Sequence, residues 1–468
     1  MDILSKLTGK PKIDRKALAE FLNTTPEALA AFEEAYQAKS LEDGISDNLF
    51  KVNSRQAAEM IRETEKKHDM TELEERIVKE LLAATPSIYT FDGKEGKTRV
   101  VPYMLPDKHQ VVDRQELKDL PENMRPLLIG QYAKMDVADN GELTLDLIKK
   151  SMTDPDPRVR KQAYNMFRQG LDILDVNAIR YAVIDRNVNT MGYWLPRMAP
   201  AVVEGGFFKI PKTTIVKLPI TLLQMTRMDY PGLGQTNYNI INRYCTEAFG
   251  LKLNGDYFIK TGTYASKFDF RNARVNSPEE IAELGQYLLY IHWQALCMAH
   301  YDLSGKGQPC IYGVSTTNEW VVREFIEDVE DNPYIYHGLP LRTEYRLFVD
   351  FDRKQVLGIH PYWEEKAMVR HFESVDDIDA KHDLITYTMA EPKMTARYEK
   401  NKDKVVQKME EILDRVDLSG QWSVDIMQNG SDFYLIDMAT AQNSAFYTET
   451  VPAELRAELE EDWRPRIG

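Results

Sequence analysis

A predicted β-hairpin near the C-terminus is the clearest structural element in the sequence. Trp422–Met427 and Asp432–Met438 are strand-like apolar segments, and Asn429-Gly430 lies between them. That dipeptide is typical of a tight hairpin turn. An aspartate interrupts each segment, Asp425 in the first and Asp437 in the second. Because an unpaired charge inside an apolar strand is costly, we expect both carboxylates to face a shared polar site.

Two facing carboxylates on paired strands fit a hard divalent cation, and Mg²⁺ accompanied by nucleotide phosphates fits best. The alternative is a pair of buried aspartates whose oxygens accept hydrogen bonds from backbone amides. Asp425 and Asp437 fall on the two strands of one predicted hairpin. This shared position favours the metal site over the alternative.

A lysine also ends an apolar strand far upstream. Lys260 closes the predicted strand Asp256–Thr261, and a loop of small residues follows it. Such a loop can fold over phosphates with its backbone amides, and Lys267 could then reach the outer phosphates. The alternative is an ordinary strand end without a ligand.

Two further strands carry charged residues at chosen positions. Glu319–Ile326 is apolar and ends in Glu324, followed by Phe325 and Ile326, a pattern that can present backbone groups to an adenine edge. In Arg342–Phe351, alternation places Glu344 and Arg346 on one face and the apolar residues on the other. The planar fork of an arginine suits a phosphate. The alternative for the first strand is a buried strand without a ligand. The alternative for Glu344 and Arg346 is an ion pair on an exposed face.

In this order, over residues 205–447, the clusters resemble the ATP-grasp superfamily, which holds ATP between two α+β subdomains. The segment Glu344–Val349 looks most like the initiation-factor-assembly branch and is also similar to carboxylate–amine ligases. The resemblance implies an α+β fold with antiparallel sheets in the C-terminal half, after a mainly helical N-terminal region. It also implies ATP and Mg²⁺ as cofactors.

The resemblance further implies roles for individual residues. Arg346 and Lys267 would act at the transferred phosphate. Lys217 and Lys260 would bind the phosphates, and the loop residues Thr261, Gly262, Thr263 and Ser266 would cover them. Glu324, Phe325 and Ile326 would contact the adenine, and Glu344 would lie near the ribose. Asp425 and Asp437 would hold Mg²⁺. Many relatives place Asn two residues after the last acidic ligand, where this chain has Ala439, so Asn443 is the candidate substitute.

Three functions fit these residues. The first is a ligase that activates a carboxylate of a small molecule, peptide or protein as an acyl-phosphate for attack by an amine. The second is an ATP-binding assembly factor for a protein partner, which would dock on the N-terminal half. The third is a nucleotidyltransferase adenylated on Lys260. Those enzymes have a glycine three residues after the lysine, whereas Gly262 follows Lys260 by two residues.

Composition limits the partners and the cellular compartment that fit this chain. The 468 residues include 59 Lys and Arg against 74 Asp and Glu, a net charge of −15, which disfavours nucleic acid as a partner. Three scattered cysteines argue against a disulfide framework. The N-terminus lacks an apolar signal core and no segment is uniformly apolar, so we expect a cytoplasmic protein that does not enter a membrane.

Four ranges are predicted. Residues 1–85 form a helical region, in which Asp14–Leu22 and Pro26–Tyr36 have helical spacing. A DNA-binding helix-turn-helix is disfavoured there because the segment is rich in glutamate. Residues 86–204 are mixed, 205–450 form the nucleotide-binding domain, and 451–468 are a tail.

Overall fold

A computed structural model describes residues 69–100, 187–219, 222–223, 235–303, 317–374 and 378–457. The predicted helices Asp14–Leu22 and Pro26–Tyr36 lie outside the described residues. The division into four ranges stays a prediction.

The described chain is a mixed α+β structure with antiparallel sheets, and this confirms the predicted fold class. The helices are α1 Glu72–Ala83, α2 Met191–Gly205, α3 Gln235–Phe249, α4 Pro278–Ala282, α5 Leu284–Leu303, α6 Glu365–Glu373, α7 Ile378–Glu410 and α8 Tyr447–Thr450. The strands are β1 Ser87–Phe91, β2 Gly96–Val100, β3 Phe208–Lys209, β4 Thr213–Lys217, β5 Tyr257–Thr261, β6 Arg274–Val275, β7 Glu319–Glu324, β8 Tyr334–Ile335, β9 Leu339–Pro340, β10 Glu344–Asp350, β11 Gln355–Pro361, β12 Gln421–Asn429 and β13 Asp432–Thr440.

The first sheet has six strands in the order β2-β1-β4-β7-β5-β6. One face is apolar and packs against α1, α3 and α5, with Trp320, Val322 and Ile259 fully or nearly buried there. On the other face Lys260 of β5 lies opposite Val321 of β7. The strand alternation therefore assigns the helices to one side of the sheet and Lys260 to the other.

Local sequence sets the ends of the covering helices. The sequence Ser277-Pro278-Glu279-Glu280 predicts a capping box, and Ser277 and Glu280 form it at α4, with Pro278 in the first turn. Thr71 and Glu74 form a second capping box at α1. These contacts satisfy the backbone N–H groups of the first turn, which have no carbonyl of a preceding turn to accept their hydrogen bonds.

The second sheet has five strands in the order β11-β10-β12-β13-β3. It contains the predicted C-terminal hairpin, β12–β13, and a second hairpin, β10–β11. The face bearing Tyr345, Leu347 and Val349 is buried in the core shared with α2 and α7. The alternation predicted for β10 is therefore confirmed, and Glu344 and Arg346 point to the opposite face.

Two sequence patterns in this half predict the structure only in part. The extended pattern of Phe207–Leu218 predicts a hairpin or strand pair, but β3 runs parallel to β13 in the second sheet while β4 joins the first. The chain thus crosses between the sheets at this point. The spacing over Lys404–Val416 predicts a helix of its own, but its helical residues are the last part of the much longer α7, which ends at Glu410.

Candidate functional site

Two adjoining cavities lie between the sheets. The first, of about 860 Å³ including its mouth, is bordered by β5, β7 and β10 and has mostly apolar walls such as Phe258, Phe325 and Met427. The second measures about 1070 Å³ on the same basis. The residues that line both cavities are Lys267, Tyr362, Trp363, Asp425 and Asp437. The predicted aspartates therefore stand where an apolar compartment meets a more polar one.

Two ion pairs meet at this junction. Lys260 Nζ of the first sheet lies 2.8 Å from Asp437 Oδ2 of the second sheet. Arg346 holds Asp425 in a two-bond fork, with Nε and Nη2 2.8 and 2.7 Å from the two carboxylate oxygens. Asp425 and Asp437 are directly opposite in the hairpin register. Two cations and two carboxylates thus form one compact cluster that joins the sheets.

Burial strengthens this cluster. The Lys260 side chain is 2% exposed, whereas that of Asp437 is 41% exposed and opens to the cleft. Burial alone would lower the pKa of Arg346, but the contact with Asp425 outweighs it and raises the pKa above its usual value. The guanidinium is therefore a fixed positive charge in the wall of the cleft.

A buried glutamate lies beside the cluster. Glu344 is 8% exposed, and burial raises its pKa to about 7, although the positive charge of Lys267 opposes the shift. Since Glu344 also lines the first cavity, its charge state near neutral pH responds to what occupies that cavity. A bound cation would favour the charged form.

Lys267 is surrounded by aromatic rings. Its amine donates a hydrogen bond to the Tyr362 hydroxyl, and Nζ lies 4.5, 5.3 and 5.6 Å from the ring centroids of Tyr362, Phe268 and Trp363. Cation–π attraction of this kind holds an ammonium without neutralising it. Lys267 is therefore held by aromatic rings at the junction of the cavities.

The loop after β5 is held by a side-chain hydrogen bond within it and by a contact with α2. Thr261 Oγ1 accepts from the Tyr264 amide at 3.0 Å, and the Gly262 carbonyl accepts from Met191 at the start of α2. Thr263, Ala265 and Lys267 reach the cavities. Thr261 and Gly262 thus shape the loop, while residues further along it face the cleft.

The segment after β7 is fixed from two sides. Arg342 donates to the Ile326 carbonyl at 2.6 Å and pairs with Asp328, both side chains being 5% exposed. The guanidinium carbon of Arg274 lies 3.9 Å from the Phe325 ring centroid. Glu324, Phe325 and Ile326 all line the first cavity, so this segment is a rigid wall of it.

The structure does not bring every predicted site residue to the cleft. Lys217 lies at the end of β4 opposite Glu319 and lines neither cavity. Asn443 donates to Thr440 Oγ1 at 2.6 Å and likewise lines neither. Ser266 is buried and precedes the 3₁₀ turn Lys267–Asn272.

Several wall residues escaped the sequence reasoning. Arg323 of β7 is buried and donates to the Ile436 carbonyl at 2.6 Å, which joins the sheets next to Lys260. Burial lowers the pKa of Arg323 to about 10. Asn189 lines the second cavity and accepts from the Thr440 amide. Strand alternation could have found Arg323, which lies on the same face as Val321, but no local pattern indicates Asn189.

The donor set suits a metal that nucleotide phosphates help to bind. Within the described ranges, no group of three His, Cys, Asp or Glu side chains could hold a metal ion. Asp425 and Asp437 supply carboxylate oxygens from opposite positions of one hairpin. Mg²⁺ commonly takes one or two carboxylates and completes its shell with water and phosphate. The residues present therefore fit Mg²⁺ bound together with a nucleotide.

Comparison with known proteins gives partial structural similarity. No protein-family model and no curated protein matches the chain. C-terminally truncated Cdc123 from Schizosaccharomyces pombe is similar with a TM-score of 0.32 and 15% identity, over 59% of this chain and 95% of that chain. A second structure of Cdc123 from Schizosaccharomyces pombe gives 0.32 and 14%, over 58% and 94%. What the cleft can bind therefore has to follow from its own residues.

Proposed function

We propose that the cleft binds ATP with Mg²⁺ and that the protein is an ATP-binding assembly factor for a protein partner, with little or no turnover. The observation that carries the nucleotide site is the cluster in which Lys260, Arg346, Asp425 and Asp437 meet between the sheets. It gathers the charges that a magnesium nucleotide requires at one junction.

Binding would exchange partners within this cluster. Phosphate oxygens would take the place of the carboxylates at Lys260 and Arg346, and Asp425 and Asp437 would turn to Mg²⁺. The metal, when bound, neutralises phosphate charge. Lys267, held by aromatic rings at the same junction, is placed to contact the outer phosphates.

The first cavity suits the nucleoside. Its apolar walls include Phe258, Phe325, Met427 and Ile436, a lining typical of cofactor pockets. Arg342 donates to the Ile326 carbonyl, and the Glu324 and Phe325 amides donate to the carbonyls of Lys212 and Asp256. We therefore expect a base to meet the Phe325 carbonyl or the Ile326 amide. Glu344 lies between this cavity and the charged cluster, where a ribose would fall.

Weak turnover is favoured by the missing amide ligand. Ala439 occupies the position expected for Asn, and the amide of Asn443 is engaged with Thr440. A second metal would therefore lack a ligand from this region. The segment Glu344–Val349, which resembles the initiation-factor-assembly branch, agrees with a binding function.

A ligase is the second candidate, and the second cavity favours it. That cavity reaches Arg346, Asp425 and Asp437 from the side opposite the apolar compartment. A carboxylate bound there would lie next to the outer phosphate, and positioning of the two reactants would supply much of the rate.

Calorimetric titration with ATP, with and without Mg²⁺, tests the shared nucleotide site. Lys260→Ala and Asp437→Ala should each weaken binding at least tenfold. Lys209→Ala is the matched control, because Lys209 forms an exposed pair with Asp432 on the same strand as Asp437. Equal ATP affinity in all variants would refute the site.

Product release separates the two functions. An assembly factor should bind ATP and co-purify with one protein partner while releasing little ADP. Sustained release of ADP and phosphate with a carboxylate substrate would favour the ligase, and AMP release would contradict both.

A further inference from the structure

The indole N–H of Trp363 is a buried donor on the wall of the cleft. Trp363 follows β11, and its side chain is 8% exposed. Among the residues that the structure describes, no acceptor forms a hydrogen bond with its Nε1 atom. A buried N–H that is left unpaired costs free energy, and such groups are rare in folded proteins. Because Trp363 lines both cavities, its N–H points to a ligand as the missing acceptor.

The indole ring is held in place by the residues around it. The Trp363 carbonyl accepts from the Tyr387 hydroxyl of α7 at 2.9 Å. The ring packs in an apolar cluster with Leu341 and Met368, and it makes an edge-to-face contact with the Tyr362 ring, whose centroid lies 4.9 Å away. The N–H therefore cannot turn towards another acceptor of the protein without breaking this packing.

A buried acid lies beside this donor. Glu344 begins β10, and its backbone carbonyl accepts from the Tyr362 amide at 3.0 Å, which brings the next residue, Trp363, alongside it. Burial raises the pKa of the Glu344 carboxyl, and the Trp363 indole is one of the groups that oppose the rise. The indole nitrogen and the carboxyl are therefore close neighbours, but they do not meet the geometry of a direct hydrogen bond. Both residues line the first cavity.

A hydroxyl group can bridge a donor and an acceptor that do not meet directly. Its oxygen accepts from an N–H while its own proton is donated to a carboxylate oxygen. On a nucleotide, the phosphate oxygens and the adenine ring nitrogens only accept hydrogen bonds, and the amine of the base only donates them. The ribose hydroxyls both donate and accept through one atom. The pair of Trp363 and Glu344 therefore fits the sugar of a nucleotide.

We propose that Trp363 is a specificity-determining residue that selects ribonucleotides over deoxyribonucleotides. One ribose hydroxyl accepts a hydrogen bond from Trp363 Nε1 and donates one to the Glu344 carboxylate. A deoxynucleotide would leave the indole N–H unpaired inside an occupied cavity. Sites built to bond a hydroxyl discriminate strongly against a ligand that lacks it. This inference rests on the proposed nucleotide site and adds to it the residue that recognises the sugar.

Calorimetric titration of the full chain in the presence of Mg²⁺ tests the inference without any substitution. The ligands are ATP, 2′-deoxyATP and 3′-deoxyATP. We expect at least one deoxy analogue to bind at least tenfold more weakly than ATP, because it lacks the bridging hydroxyl. Equal affinity for all three would overturn the inference and leave the nucleotide site intact. No binding of ATP would refute the nucleotide site itself, and the inference with it.

Trp363→Phe identifies the donor. Phenylalanine keeps an aromatic ring in the wall but lacks the N–H, so the affinity for ATP should fall to about that for the disfavoured deoxy analogue, whose own affinity should change little. Trp422→Phe is the matched control, because Trp422 is also buried but donates its N–H to the Ser419 carbonyl at 2.8 Å and lines neither cavity. It should keep the wild-type preference for ATP. Weakening of all three nucleotides by one common factor in Trp363→Phe would show a purely structural role and overturn the assignment.

The indole N–H resonances give a readout that does not depend on affinity. The chain has six tryptophans, and the cross-peak that Trp363→Phe removes belongs to residue 363. Saturation with ATP should move this peak downfield, as a new hydrogen bond does, whereas saturation with the disfavoured analogue should leave it near its position in the free protein. The same movement with both nucleotides would contradict a bond to the ribose. The wild-type titrations decide the inference even where Trp363→Phe does not fold.

Discussion

Replacing Glu344 with glutamine should change how the stability of the protein depends on pH. In the folded protein, burial raises the pKa of this carboxyl from an ordinary value of 4.5 to about 7. The folded state therefore binds the proton more tightly than the unfolded state. Its contribution to stability is fully present below pH 4.5 and is lost as the pH rises through 7.

The size of the effect follows from the shift. A change of about 2.5 pKa units corresponds to roughly 3 kcal/mol at ~1.36 kcal/mol per unit. Because glutamine cannot ionise, the free energy of unfolding of Glu344→Gln should rise relative to that of the wild type as the pH rises. The difference should reach about 1–3 kcal/mol at pH 8.

Urea unfolding followed by tryptophan fluorescence from pH 5 to pH 8.5 measures the difference. The free energy of unfolding of Glu344→Gln minus that of wild type should climb between pH 5 and pH 7.5 and then level off. Glu373→Gln, at an exposed glutamate of α6, should give a flat difference. A flat curve for Glu344→Gln, or the same climb for both variants, would refute the assignment.

Three further predictions concern the core of the site and its supports. Arg346→Met should cost about 3–5 kcal/mol in urea unfolding because it leaves Asp425 buried and unpaired, and adding Asp425→Asn should cost less than the sum of the single changes; additive costs would contradict the pair. Gly285→Ala should lose about 1–3 kcal/mol, because the new methyl would lie 2.8 Å from the Asn242 backbone; wild-type stability would contradict that packing. Removal of Mg²⁺ by EDTA should weaken ATP binding at least tenfold in the wild type but little in Asp437→Ala, as calorimetry can show; equal losses would exclude Asp437 as a metal ligand.

The compartment and membrane predictions rest on different grounds. Within the described part of the chain, no helix combines the length and apolar character needed to cross a bilayer. The cytoplasmic location stays a prediction from the sequence, as do the four domain ranges.

Sequence patterns predicted the elements whose cause is local. The β12–β13 hairpin and the alternation of β10 were confirmed, because turn geometry and a two-residue period are encoded within a few residues. The turn itself lies one residue later than Asn429-Gly430, at Gly430-Ser431, since Asn429 pairs with Asp432. His292 is a buried core residue that accepts from Trp320 Nε1 at 3.1 Å. Arg271 pairs with Asp269, two residues earlier in the chain.

Patterns failed where a partner lies far away in the chain. β3 and β4 are separated by only three residues, yet they join different sheets, and nothing within the segment distinguishes a strand pair from a crossover. Asn189 reaches the second cavity through a bond to Thr440, a contact that depends on how α2 packs.

The sequence by itself determined which residues could carry charge into a cleft, since period and turn chemistry decide the face on which a strand residue lies. Only the tertiary structure decided that Lys260 meets Asp437, 177 residues along the chain, and that Lys217 does not reach the cleft. The physical reason is that the faces of two sheets are set locally, whereas the contact between the sheets depends on the packing of the whole core.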